Sequence, residues 1–371
     1  MVDWSELKTF RWFLIFISLI VIAAFIKNPQ LAILIAVVAY VQNSSYSIES
    51  RGGTRNSYLY YALGSLISGV AFYTTMRLLL SQEMSLWFFG PYVVATVLGS
   101  VTGSQLSSKI EKRFNITTRP REKGDITQRT SRKFLLLFFI LIIFAVILGG
   151  GDTKTQILLI CLASLKNMSF SLVRRSRNTS KPWYHAISAS IDGFLWYLVF
   201  RELVLGNLSY ELLPPYMLGN IIGGMSGQKV SMRIESYIGA TADGHLEDEH
   251  PSIFVPVITI LFLGVALTFW FGNFAGPSLM FAFASAQSIS FSLVSRSRNR
   301  NNIAYHAIAS IFSNGIWYLV FRHITQADMQ PSYAPAYVSG SVFGSLIGVG
   351  ASMKIEKILG AVSDEHVLKK T

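Results

Sequence analysis

Two short motifs carry the residue types most able to hold a charged ligand, Arg175-Ser176-Arg177-Asn178 and Arg296-Ser297-Arg298-Asn299, 121 residues apart. Arg174, Lys181 and Arg300 lie beside them, and Arg51 and Arg55 occupy the corresponding place earlier in the chain. A planar guanidinium forks onto two oxygens of a phosphate or carboxylate, and free N–H groups at a helix start favour the same ligands. One reading is therefore an anion site built from Arg51, Arg175, Arg177, Asn178, Arg296, Arg298 and Asn299. The plainer reading is that Arg at a helix C-terminus complements the dipole and anchors against anionic phospholipid headgroups. Residues 167–201 and 288–322 share 19 of 35 positions, clustered in this loop, in Tyr-His-Ala-Ile and in Trp-Tyr-Leu-Val-Phe-Arg. A generic positive anchor would accept Lys and drift, although recent duplication also accounts for the identity.

A second group of residues is ionisable but embedded in apolar sequence. Lys166 lies about eight residues before the end of one apolar segment and Asp192 about ten after the start of the next. At about 1.5 Å per residue, two antiparallel helices bring them to similar depth. Isolated charges at the bilayer centre are expensive, so the two are expected to pair or to face a wet cavity. Either a structural pair or a solute pathway fits. His185 and His306 begin the buried part of their helices, as hydrogen-bonding packing residues or as proton-coupling groups; Tyr61 stands at that position in the first third.

The elements that must position these residues are long and apolar. Segments near 10–27, 31–49, 57–80 and 89–108 are followed by 133–150, 155–173, 183–203 and 213–232, then by 252–273, 277–294, 303–324 and 334–353. Most approach the roughly 20 residues that a helix needs to cross about 30 Å of hydrocarbon. The three sets are repeats. An offset of 121 carries Tyr184, Trp196, Gly223 and Glu235 onto Tyr305, Trp317, Gly344 and Glu356. An offset of 124 carries Arg51, Tyr60, Arg77 and Glu111 onto Arg175, Tyr184, Arg201 and Glu235. The units run 1–115, 132–240 and 252–361, joined by a basic linker at 116–131 and a linker at 241–251, with a tail at 362–371. The expected fold is all-α, a polytopic bundle of about twelve transmembrane helices in three parallel four-helix repeats, which a pseudo-threefold axis along the membrane normal can relate.

Composition agrees. Half the chain is apolar (51%) and 14% is charged, against about 25% in soluble domains. With the N-terminus on the cytoplasmic side, 26 Lys and Arg fall inside and 5 outside, which places both termini in the cytoplasm, in an inner membrane if the source is bacterial. That distribution explains the net charge of +12 without nucleic acid. Small residues at every fourth position of the last helix in each unit, such as Gly219, Gly223 and Gly227, serve close helix packing or a glycine-lined path. Glu111, Glu235 and Glu356 read as ion pairs with Lys or Arg one or two residues away, and the Trp196-Tyr197 and Trp317-Tyr318 pairs as an interfacial aromatic belt. Asp243, His245, His250, Asp364 and His366 match no strong metal-ligand spacing. No catalytic set, cofactor motif or phosphate-binding loop is present, so an enzyme is not expected.

The last three helices of each unit resemble a family of uncharacterised bacterial and phage polytopic membrane proteins. Arg296 and Arg298, Trp317, then Gly340, Gly344, Gly348, Glu356 and Gly360 carry the resemblance. Unit one departs from it at Phe72 and Gly53. The resemblance implies a membrane fold and no established activity. The leading functional expectation is passage of a small anionic solute, with the arginines as a cytoplasmic collar; the alternative is a membrane scaffold that binds anionic lipid or a partner.

Overall fold

The computed structural model describes residues 28–54, 58–113, 152–176, 182–239, 275–297 and 303–359, with helical residues 140, 144 and 147. The rest of the expected segments 10–27, 133–150 and 252–273 lies outside the described residues, as do both linkers, the tail, and Arg177, Asn178, Arg298 and Asn299. Described are α1 (Pro29–Thr54), α2 (Tyr58–Leu80), α3 (Phe89–Arg113), α4 (Thr153–Ser176), α5 (Pro182–Leu205), α6 (Leu213–Ile238), α7 (Ala275–Ser297), α8 (Ile303–Gln326) and α9 (Tyr333–Leu359). No strand occurs among the described residues.

Local chemistry sets the helix ends. Pro29 opens α1 and Pro182 opens α5, where a fixed φ suits the first helical turn and no donor is lost. Asp152 caps α4, accepting from the Thr155 N–H and hydroxyl, both at 3.0 Å. The Thr155 N–H, then its hydroxyl, hold that carboxyl below the usual range. This capping is complete near neutral pH and fades as falling pH protonates Asp152. After α2, α5 and α8 the chain turns through two left-handed residues each time, Glu83-Met84, Asn207-Leu208 and Asp328-Met329, with φ between 45 and 52°. The second residue donates back across the helix end: Met84 to the Leu79 carbonyl at 2.9 Å, Leu208 to Leu203 at 2.9 Å and Met329 to Ile324 at 3.2 Å. Its apolar side chain is buried each time. The strain of a left-handed residue with a side chain is thus offset by a closed carbonyl and a buried contact.

Within each triad the third helix lies against the first: α3 on α1, α6 on α4 and α9 on α7. Small residues allow this closeness. A Cβ on Gly103 would come within 2.5 Å of the Ser44 carbonyl oxygen, and Gly223 and Gly344 approach the Ser164 and Ser285 carbonyls still more closely. Of the two expected roles for the small-residue stripe, the close approach of backbones is the one seen. Between triads, α2 packs on α6, α5 on α9 and α8 on α3.

Three tyrosines lock these contacts. Tyr73 of α2 donates to the Ser209 carbonyl, Tyr197 of α5 to that of Gln330, and Tyr318 of α8 to that of Ser85 at 2.6 Å. Tyr197 and Tyr318 are buried, and Trp317 is 7% exposed, so the expected aromatic belt faces inward rather than toward lipid. The reason is the hydroxyl, which finds a carbonyl in the neighbouring turn.

The distribution of polarity is inverted relative to a soluble bundle. Ser100, Gln228, Ser231 and Ser352 are fully buried, while Ile33, Val37, Leu66, Leu98, Ile157 and Phe312 are exposed. Among the described residues six helices are long and apolar enough to cross a membrane: α1, α2, α3 with its short 3-10 lead-in, α4, α7 and α9. The other described helices, α5, α6 and α8, are of similar length.

Candidate functional site

A cavity of about 200 Å³ lies among all three triads, far beyond the ~30 Å³ one water occupies. Its wall follows one helical face of each leading helix. Gln42, Tyr46 and Glu49 come from α1, Lys166, Phe170 and Val173 from α4, and Gln287 and Phe291 from α7. Spacings of three, four and seven are those of one face of a helix. The second helices add Ser68, Asp192 and Asn314, and the third helices Asn220 and Ser341.

Stacked aromatic pairs join neighbouring triads around this wall. Trp196 of α5 stacks on Tyr337 of α9 at 5.0 Å, Trp317 of α8 on Tyr92 of α3 at 5.7 Å, and Phe72 of α2 on Tyr216 of α6 at 6.4 Å. One turn further along α5 and α8, Phe200 and Phe321 meet edge to face at 3.9 Å. Trp317 packs on the same Phe321 at 4.7 Å, so aromatic rings crowd the cavity toward the loop that follows α5.

Lys166 and Asp192 both line the cavity. The Lys166 ammonium stands 4.9 Å from the Phe170 ring centre, and Asp192 accepts from the Ser169 hydroxyl at 3.0 Å. A third ionisable residue, Glu49, joins them in the lining and is 5% exposed. Its carboxylate accepts from Tyr61 at 3.1 Å and Ser68 at 2.5 Å. Arg174 of α4 reaches across, donating to the Glu49 carbonyl at 3.5 Å, with its guanidinium 5.4 Å from the Tyr61 ring centre.

Sequence reasoning missed Glu49 and placed Arg174 only beside the arginine motif, although a signal for both was present. Val173 and Val294 stand where Glu49 does, and Ser50 and Ser295 where Arg174 does. Both are odd residues in a repeated column, as Lys166 and Asp192 are. Glu49 was hidden because it closes an apolar segment next to Arg51, where a charge reads as interfacial.

The arginines have partners inside the chain. Arg51 forks onto Glu111 through Nε at 2.8 Å and Nη2 at 2.9 Å. Arg175 holds Glu235 at 3.1 and 2.7 Å, and Arg296 holds Glu356 at 2.9 and 2.8 Å. All six side chains are buried. The glutamates were expected to pair with cations one or two residues away; instead each partner lies 60 residues earlier, on the first helix of its triad. Helix packing at the glycine stripe brings the two ends together. A carboxylate fork on Arg is the ligand geometry expected of the arginines, with the carboxylate supplied by the protein itself.

His185 and His306 share hydrogen bonds through Nδ1 with Ser176 and Ser297, each at 2.9 Å. His306 Nε2 also meets Ser100 of α3 at 3.1 Å. At the corresponding contact Tyr61 faces Gly224 of α6, where a Cβ would overlap the tyrosine ring. The larger ring is matched by a residue without a side chain. The expected metal-spacing residues Asp243, His245, His250, Asp364 and His366 lie outside the described residues.

Fold and site together define a helical bundle of membrane-compatible composition around a polar cavity. Comparison with known proteins finds no matching family, no matching curated protein and no matching solved structure.

Proposed function

We propose that the chain is a twelve-helix integral membrane protein of three parallel four-helix units about a pseudo-threefold axis, and that it passes a small charged solute through the central cavity. The carrying observation is a cavity walled by all three triads and lined by Lys166, Asp192 and Glu49 within long apolar helices. Ionisable side chains there mark solute or ion pathways when they face a cavity. The cyclic order of contacts, α2 with α6, α5 with α9 and α8 with α3, supports units closed in a ring rather than laid in a row. The 26-to-5 asymmetry of Lys and Arg supports both termini in the cytoplasm, in an inner membrane if the source is bacterial.

The anionic-solute reading changes its supporting residues. Arg51, Arg175 and Arg296 are engaged by glutamates. Among the described residues Lys166 is therefore the cation that lines the cavity, and the lipid-headgroup reading of Arg177 and Arg298 stands on the sequence alone. A scaffold without transport would be packed dry around Lys166 and Asp192, and the cavity there speaks for the transport reading.

The test is solute flux in proteoliposomes, comparing the intact chain with Lys166→Gln and Asp192→Ser. These residues already occupy the corresponding positions, as Gln42, Gln287, Ser68 and Ser313. Flux of a small solute that falls about tenfold or more in folded variants is expected, a loss of about 1.4 kcal/mol. Absence of flux across anions, cations and zwitterions would leave the scaffold reading.

A further inference from the structure

We infer that the cavity binds a small organic ammonium, a cation with N–H donors and an alkyl body, in a layer of aromatic rings beside Glu49. This deepens the solute-passage reading and rests on it. Tyr46, Phe170 and Phe291 hold corresponding positions on α1, α4 and α7, and all three line the cavity. The Tyr46 and Phe170 ring centres are 6.1 Å apart. The negative face of an aromatic ring attracts a cation, most strongly where water is scarce. The protein already makes that contact once, with the Lys166 ammonium 4.9 Å from the Phe170 ring centre.

The charges of the wall favour the same sign of solute. Its lining holds two carboxylates, Glu49 and Asp192, and one ammonium, Lys166. Asp192 is engaged by Ser169, and the ammonium needs no contact with it. Glu49 comes three residues after Tyr46, one turn along the same face of α1. It is 5% exposed, and the hydroxyls of Tyr61 and Ser68 that it accepts leave its charge in place. Among the described residues its carboxylate forms no ion pair; Arg174 donates to the Glu49 backbone carbonyl instead. Arg174 does not line the cavity, so the carboxylate is the nearer of the two charges to a solute. A buried carboxylate without an ion pair is costly, and a cation in the neighbouring layer relieves it.

Two acceptors on the other side of the ring layer specify N–H donors. Gln42 and Gln287 come four residues before Tyr46 and Phe291, and both line the cavity. Gln287 is 3% exposed, and the Oε1 of each glutamine is buried without a hydrogen-bond partner. Buried acceptors left without donors are costly, so N–H groups are favoured over methyl groups on the nitrogen. The rings favour an alkyl body over a bare metal ion, because hard metal ions take oxygen ligands.

The experiment measures equilibrium binding to the purified full chain in detergent by calorimetry, alongside the melting midpoint without ligand. Propylammonium, propanol, propionate and tetramethylammonium separate charge, sign and N–H donors, with sodium ion as the metal probe. Propylammonium is expected to bind at least about tenfold more tightly than each of the others. Glu49→Val with Arg174→Ser gives the first corner the residues of the other two units, Val173 and Val294 with Ser50 and Ser295. That variant should still melt cooperatively and bind propylammonium about tenfold more weakly. Lys166→Gln removes a like charge and should tighten propylammonium about threefold or more. Damage to the fold does not produce such a gain, and a tighter cation leaves more slowly, in keeping with the lower flux expected of that variant. Propionate or propanol equal to propylammonium, or weaker propylammonium binding in Lys166→Gln, would overturn the cation assignment. Tetramethylammonium or sodium equal to it would overturn the organic N–H assignment, and unchanged binding in the double variant would remove Glu49 from the site. No binding by any probe while flux of another solute persists rejects this inference alone. No binding and no flux rejects the function on which it rests.

Discussion

Arg175 and Glu235, with 4% of each side chain exposed, form a buried bidentate pair whose energetics are asymmetric. Desolvating two ions offsets much of their attraction, but removing one leaves the other charged and unpartnered. Arg175→Gln should therefore lower stability by about 3–5 kcal/mol, while Arg175→Gln with Glu235→Gln should recover most of it. Melting midpoints of the two variants in one detergent check this, and an equal loss from both would rule out the pair as the cause. The arginines were legible in the sequence; their partners were not. Residue type announces a guanidinium, whereas a partner 60 residues away depends on how two helices cross. The same holds for Glu49, whose partners Tyr61 and Ser68 lie on the next helix.

At the scale of elements, the expected spans and the observed helices overlap, and the first and third helices of each triad run on beyond the expected C-terminal end. A span expected at 31–49 is a helix over Pro29–Thr54, and one at 89–108 is a helix over Phe89–Arg113. Hydropathy marks where the chain is apolar, but intrahelical hydrogen bonding continues as far as Arg51 and Glu111 have partners. The turns after α2, α5 and α8 were not legible either, because their left-handed residues include Glu83, Met84 and Leu208 rather than glycine. The glycine stripe was legible, and it carries a prediction. Gly223→Leu would drive a side chain into the Ser164 backbone, so α6 and α4 must separate, pulling Arg175 from Glu235. Gly350→Leu on α9 meets open space and serves as the control. The first variant should fail to yield monodisperse protein in gel filtration, and the second should behave as the parent. A monodisperse Gly223→Leu would mean that the close approach is dispensable.

For the whole molecule, the proposed ring makes residues 210 positions apart neighbours. The Ser310 and Ser100 hydroxyl oxygens, on α8 and α3, are 3.4 Å apart. In a Cys161→Ser background, Ser100→Cys with Ser310→Cys should close a disulfide under mild oxidation. Protease sites inserted in the two linkers, 116–131 and 241–251, would then release the first and third units as one band on a non-reducing gel. Units arranged in a row would give separate bands. The repeat itself was legible in the sequence, but ring and row have the same sequence signature, since both place equivalent helices in equivalent order.

The odd residues of the cavity wall have an evolutionary consequence. An assembly of three identical chains acquires every new charge three times over, so a single lysine codon would place three ammonium groups at the centre of the bilayer. Joining the copies in one reading frame frees each corner of the site to mutate alone. Gln42, Lys166 and Gln287 are three independent choices at one height of the wall. On this view, covalent fusion came before the acquisition of selectivity, and a separated unit two would assemble with itself into a site crowded by like charges.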